Sequence, residues 1–197
     1  MANPPTSPPR SKTVPKSLPA TAWAVLGLLS FGRDLTGYDL KKWADASLRF
    51  FYWSPAISQI YGELRRLESI GYVESWAAPQ DELRNKRLYR ITPLGRDALT
   101  TWVRDSPVEP PVLKHGVALR IWLGHLADPA ALREIVAAHR EYAVEMLAAV
   151  SEARRTAATN PDWTYPEVVE RWGERYWAAE RDLADAMLRD LDELDLT

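Results

Sequence analysis

The chain has 197 residues, 46% of them hydrophobic, with 25 Lys+Arg against 27 Asp+Glu and no cysteine. That composition allows one large or two small packed cores and excludes a fibrous or wholly disordered protein, disulfides and thiolate chemistry. The near-neutral total hides a division: residues 1–105 carry 15 basic and 10 acidic side chains and residues 106–197 carry 10 and 17, so the first part can sit on a polyanion and the second should avoid one.

Residues 1–17 mix five prolines and small polar residues with Arg10, Lys12 and Lys16. Such a segment cannot bury enough apolar area to offset the entropy of ordering it, so a disordered arm is expected, either inert or adding weak phosphate contacts. It has no apolar core of signal-peptide length and no later stretch approaches a membrane span; the expectation is a cytoplasmic protein. Pro19-Ala20-Thr21 opens a first helix with an apolar face of Val25, Leu26, Leu28 and Leu29, ending near Gly32. Thr36-Gly37-Tyr38-Asp39 has capping-box spacing and starts a second helix through Leu40, Trp43 and Ala46. Lys41 and Lys42 on it either border a DNA backbone or are merely solvated. The aromatic run Leu48–Trp53 is expected to wedge between the second and third helices.

The third helix, SPAISQIYGELRRLESIG, has both ends marked: Ser54 as N-cap, Pro55 at the first helical position and Gly71 as terminator. Ile57, Ile60, Leu64 and Leu67 recur at three- and four-residue spacing and predict a buried stripe. Ser58, Gln59, Gly62, Arg66 and Ser69 lie opposite, with Tyr61 and Arg65 at the margin. Hydroxyls, an amide and guanidinium groups can meet phosphates and base edges, and Gly62 allows close approach of the backbone. The bland alternative is an ordinary solvated helix face. The segment after Gly71 favours the first reading: Tyr72–Trp76 and Lys86–Thr92 are β-branched and aromatic runs around the polar Ala77–Asn85 stretch, a hairpin whose far end holds Arg84, Lys86 and Arg87. A helix joined directly to a hairpin with a basic tip is the arrangement of recognition helix and wing.

Thr92-Pro93 then opens a fourth helix, Leu94–Arg104, with Leu99, Trp102 and Val103 on its apolar side. Three prolines in DSPVEPP, residues 105–111, stop it and mark a boundary. The remainder reads as helix: one amphipathic segment over Leu113–Leu126, a long helix from Asp128-Pro129 to about Thr156, a break at residues 159–162, and a last helix to about Leu194. Leu132, Ile135, Val136, His139, Met146, Leu147 and Val150 line the first long helix, and Val169, Trp172, Tyr176, Ala179, Leu183, Ala186 and Leu191 form a near-heptad stripe on the second. Such a pair cannot cover both stripes alone, so a second copy of the chain is expected to do so. The fold class is therefore mainly α with a small hairpin: arm 1–17, winged helix-turn-helix 18–105, linker 106–111, helical dimerisation and effector part 112–197.

TGYDLKKW, IYGELRRLESIGYV and KRLYRITPLG, in this order and spacing, resemble the PadR family of bacterial transcriptional regulators over roughly Leu18–Trp102, and RIWLGHL followed by a helix pair resembles its longer-tailed members. The resemblance implies a homodimer with exchanged C-terminal helices, a DNA-binding winged helix and repression of a promoter in response to a small molecule. Carried over by position, Ser58, Gln59 and Tyr61 meet DNA from the recognition helix and Lys86 and Arg87 from the wing; Ser58-Gln59 stands where many members have Gly-Thr, so their base preference does not transfer. In some relatives planar aromatic compounds lodge between aromatic side chains, and Trp122, Trp172 and Tyr176 are the candidate effector contacts, with dimer or core packing as the plain alternative. No cofactor is expected. Catalysis is not expected either: His115, His125 and His139 match no metal-ligand spacing, and no phosphate loop or nucleophile elbow occurs. The competing reading is a winged-helix docking module that touches no nucleic acid.

Overall fold

The computed structural model describes residues 18–77, 86–108 and 110–194. The N-terminal arm and the hairpin tip with Arg84 lie outside the described residues. Helix α1 (Ala20–Leu29) is apolar almost all round and forms the centre of the first core, with Val25, Leu26 and Leu29 fully buried against Leu40, Ile60, Leu64 and Leu67. Each such side chain contributes roughly 1.5–3 kcal/mol by burial. Helix α2 (Gly37–Ala46) starts on the expected capping box: Thr36 Oγ1 accepts the Asp39 N–H at 3.1 Å and Asp39 Oδ2 accepts the Thr36 N–H at 3.0 Å.

Helix α3 spans Ile57–Ser69 with Ala56 at the cap position, two residues later than expected. Ser54 does not cap it: its hydroxyl donates to Asp45 and accepts from Lys41, and Pro55 is buried ahead of the helix. Gln59 Oε1 instead turns back to accept the Ala56 N–H at 2.8 Å, meeting one of the orphan donors at the helix start. Ile57 consequently falls outside the buried stripe. Gly71, at φ 78°, closes the helix in the left-handed region as expected.

Strands β1 (Val73–Ala77) and β2 (Arg87–Ile91) pair antiparallel in the register Val73 with Ile91 and Trp76 with Leu88. Leu35 and Tyr89 exchange backbone hydrogen bonds of 3.1 and 2.9 Å, tying the segment before α2 to the hairpin. Thr92 caps α4 (Pro93–Asp105) through the Gly95 N–H at 3.1 Å. Gly95 passes so close to the Tyr72 carbonyl that a Cβ there would lie inside van der Waals contact. On α4 Leu99 is buried and Trp102 stacks on Trp23 at 5.2 Å, but Val103 is 72% exposed, contrary to expectation.

The helical half begins with α5 (Gly116–Trp122), seven residues long and followed by a 3-10 turn at Gly124–Leu126, rather than one continuous segment from Leu113. Helices α6 (Pro129–Ala158) and α7 (Thr164–Leu194) form a long hairpin, with Asp128 accepting the Ala130 N–H at the start of α6. Up to Met187 the seam of α7 is displaced by one residue from the hydropathy stripe, and only at Leu191 do the two coincide. Glu170, Gly173, Ala184 and Leu191 are buried, with Trp177, Glu180 and Met187 completing a three-four spacing, while Trp172 stays 50% and Leu183 62% exposed. Gly173 explains the shift: a Cβ there would meet Val150 Cγ2 at 3.0 Å, so the helices approach where the side chains are smallest.

The aromatic run after α2 is also placed differently. Phe50 is buried not between α2 and α3 but with Met146, Val150 and Trp177, and the Trp177 indole N–H donates to the Phe50 carbonyl at 3.2 Å. Phe51, Tyr52 and Trp53 are exposed. Phe50 thus pins the first half to the α6–α7 hairpin. No helix among the described residues is long and apolar enough to cross a membrane.

Candidate nucleic-acid interface

Because Ile60, Leu64 and Leu67 anchor α3 to the core, the helix must turn Ser58, Gln59, Tyr61, Arg65 and Arg66 outwards. The amide oxygen of Gln59 is engaged at the helix start, which leaves its NH2 group to donate outward. Arg66 pairs with Glu63 at 3.0 Å, whereas Arg65 and Lys42 have no ion pair among the described residues. Lys41 pairs with Asp45 and donates to Ser54 at 3.1 Å, so both Lys41 and Ser54 brace the α2–α3 connection.

On the hairpin Lys86 is exposed, and Arg87 folds back, donating to Ser75 at 2.6 Å and pairing with Glu68 at 3.1 Å. Arg90 makes a bidentate pair with Asp34, both bonds 2.6 Å, over the Trp76 ring. This pair fastens the hairpin to the turn before α2. One surface residue escaped the sequence reading. Gly37 lies under the Tyr61 ring, and its neighbour Tyr38 is 70% exposed in the first turn of α2. The signal was present in TGYD, where the capping pattern drew attention to Thr36 and Asp39 instead.

The candidate effector residues do not converge. Trp172 stacks on Tyr176 at 5.3 Å, but Trp122 is largely exposed and stacks on neither. A cavity of about 640 Å³ opens elsewhere, between the two halves, walled by Phe31, Trp43, Phe51, Trp163 and Val169. Glu170 also lines it, 6% exposed, with Oε2 buried and lacking a hydrogen-bond partner. Burial, reinforced by Glu167 and Glu174 and only partly offset by Arg154, pushes its carboxyl up to about 7. Two of the three histidines also come together around the other buried acid: His115 and His139 both reach Glu180, a cluster that linear spacing could not reveal.

Residues 25–101 match the model of the transcriptional regulator PadR-like family, and residues 113–192 match that of the virulence activator alpha C-terminal region. The negative transcriptional regulator PadR of Bacillus subtilis is 36% identical over 87 residues, 44% of this chain and 47% of that protein; the match spans about half the length of this curated relative. The structure of B. subtilis PadR with operator DNA aligns over 86% of this chain and 98% of its own at a TM-score of 0.72 and 21% identity, and the same protein is known with p-coumaric acid. The PadR-like transcriptional regulator BC1756 of Bacillus cereus aligns over 88% and 98% at a TM-score of 0.72 and 22% identity. These structural likenesses establish the shared fold. The chain thus carries a PadR-like transcriptional-regulator domain over residues 25–101, followed by a virulence-activator-type C-terminal region over residues 113–192.

Proposed function

We propose that the protein is a homodimeric, ligand-responsive transcriptional repressor that reads a pseudo-palindromic operator in the cytoplasm. The observation that carries the reading is the outward face of α3: its apolar stripe is consumed by the core, Ser58, Gln59, Tyr61 and Arg65 are exposed, and the hairpin that follows carries an exposed Lys86 at its loop end. In the proposed complex α3 lies in the major groove of each half-site, with half-site centres about one helical turn, ~34–36 Å, apart. Ser58 and the Gln59 amide contribute base contacts, while Lys42, Arg65, Arg66, Lys86, Arg87 and the hydroxyls of Tyr38 and Tyr61 fix register through phosphates. Arg84, at the hairpin tip, joins that set by sequence alone.

Dimerisation is supported by what the single chain leaves uncovered. Val168, Trp172 and Leu183 on α7, with Leu119 and Trp122 on α5, form apolar surface that no element among the described residues covers. For the effector, the cavity between the halves suits a planar apolar molecule, since Trp43, Phe31 and Trp163 supply its walls. B. subtilis PadR is known with p-coumaric acid, an aromatic acid. Glu152 and Arg49 line the cavity as well, but the Glu170 carboxyl, with its buried and unpartnered oxygen, favours an aromatic ligand that brings a hydrogen-bond donor or a cation. A ligand held between the winged helix and the α6–α7 hairpin changes the spacing of the two α3 helices only if it binds one arrangement more tightly than the other.

A gel shift against DNA upstream of the protein's own gene, at two salt concentrations, tests the core of this. A DNA regulator gives binding that weakens steeply with salt. Absence of binding at both concentrations overturns the reading in favour of a docking module.

A further inference from the structure

Glu180 is the second acid buried in the α6–α7 seam, and its surroundings differ from those of Glu170. Its Oε2 lies 3.2 Å from His115 Nε2 and 3.1 Å from His139 Nε2. The three side chains come from three places in the fold: His115 from the residue preceding α5, His139 from α6 and Glu180 from α7. The three ligating atoms lie within 4.8 Å of one another, and the imidazole rings meet edge to face at 4.9 Å. All three side chains are largely buried, yet they border an open recess of about 420 Å³ that Lys114, Arg120 and Tyr176 also line.

We propose that His115, His139 and Glu180 form a binding site for a late first-row divalent cation such as Zn(II) or Co(II), with the recess supplying water to the remaining position. The donor set is two imidazole nitrogens and one carboxylate oxygen, which suits these ions better than Mg(II) or Ca(II), whose preference is for all-oxygen ligation. A tetrahedral ion about 2.0–2.1 Å from such ligands separates them by about 3.3 Å, close to the two nitrogen–oxygen spacings already present. Burial opposes ionisation of Glu180, but hydrogen bonds from His139, Tyr176 and His115 win and hold its carboxyl below the usual range, so the anionic ligand is preformed at neutral pH.

The metal-free chain holds the imidazoles in a different tautomer from the one metal needs. His115 Nδ1 accepts the Ala118 N–H at 3.1 Å, which leaves the ring proton on Nε2, facing Glu180. For Nε2 to donate its lone pair to a metal, that proton must move to Nδ1, and the Ala118 N–H loses its acceptor. No net proton is released by the exchange. Metal binding is therefore coupled to the first turn of α5, the helix that carries the uncovered Leu119 and Trp122. This inference goes beyond the repressor reading and does not depend on it, because the site lies away from α3 and the hairpin.

The test is a Co(II) titration of the purified, metal-stripped full-length chain, read by visible absorption and by competition with Zn(II). One equivalent per chain, with ligand-field bands of low-symmetry four- or five-coordinate cobalt that Zn(II) bleaches, is expected. H115Q and H139Q should each weaken binding at least tenfold, and H125Q, which alters an exposed histidine outside the cluster, should leave it unchanged. The amide resonance of Ala118 should shift on loading. Absence of saturable one-to-one binding by the wild-type chain overturns the proposal even if a variant fails to fold, as does equal loss in H125Q, and the three groups are then only a hydrogen-bonded cluster. Operator binding by the same sample, measured in parallel, separates failure of this site from failure of the DNA-binding function.

Discussion

Replacing Glu170 by Gln isolates the energetic effect of one misplaced charge. The substitution keeps the shape of the side chain and removes its titration. The carboxyl titrates near 7 in the folded chain against an ordinary 4.5, because the seam desolvates it and places Glu167 close by. The sign comes from linkage. Between these two values the folded state holds the proton and the unfolded state releases it, so stability is greatest below 4.5 and falls as pH rises towards 7 and above. At about 1.36 kcal/mol per pH unit the interval corresponds to roughly 3 kcal/mol, an upper bound because water and relaxing side chains absorb part of the penalty. Glu170→Gln should therefore be more stable than the wild type by up to about 3 kcal/mol at pH 8, and the advantage should shrink steadily towards pH 4.5. Urea unfolding of both proteins at pH 5 and pH 8, at one protein concentration, measures it, since titrating groups that do not interact with residue 170 cancel in the difference. An advantage of equal size at both pH values would refute the reasoning, because it would mean that the carboxyl does not titrate differently in the folded state.

The geometry carries four further outcomes. Gln59→Ala should cost on the order of 1–3 kcal/mol at one operator base position, while Arg65→Ala weakens all sequences alike and lowers the salt slope by about one; footprinting across operator variants separates the two. Gly173→Leu should push α6 from α7, costing roughly 1–3 kcal/mol or more in chemical denaturation, because the added side chain meets Val150 at the seam. Leu183→Glu places a charge on the uncovered α7 stripe and should shift sedimentation from dimer towards monomer without lowering helicity. Aromatic amines should quench the tryptophan fluorescence of the cavity wall more strongly than aromatic acids of the same size, and Glu170→Gln should abolish that preference.

The order of elements was legible in the sequence because it is set by local chemistry. Thr36 with Asp39, Thr92 with Pro93 and Asp128 with Pro129 each satisfy helix starts within a few residues, and β-branched and aromatic runs on either side of a polar stretch marked the hairpin. The outward face of α3 was legible for the same reason: once Ile60, Leu64 and Leu67 are assigned to a core, geometry leaves Ser58, Tyr61 and Arg65 outside. Ser54 misled because it has the right chemistry for a cap, and only the position of Asp45 and Lys41 nearby decides that its hydroxyl is used otherwise. The α7 seam misled for a different reason. Hydropathy selects Trp172 and Leu183, but two long helices approach most closely along small residues, and Gly173 and Ala184 lie about 100° around the helix from the aromatic stripe.

Sequence alone thus marked most helices, the hairpin and the free side of α3, since caps and apolar spacing act over a few residues, but it ran α5 together with its flanking segments and counted Ile57 as buried. The tertiary structure alone decided what lies between the segments. The cavity beside Glu170 joins residues near position 43 to residues near 163, and the cluster at Glu180 joins positions 115, 139 and 180. Such neighbours are separated by whole helices, and nothing in the spacing along the chain records that packing brings them within a few ångströms.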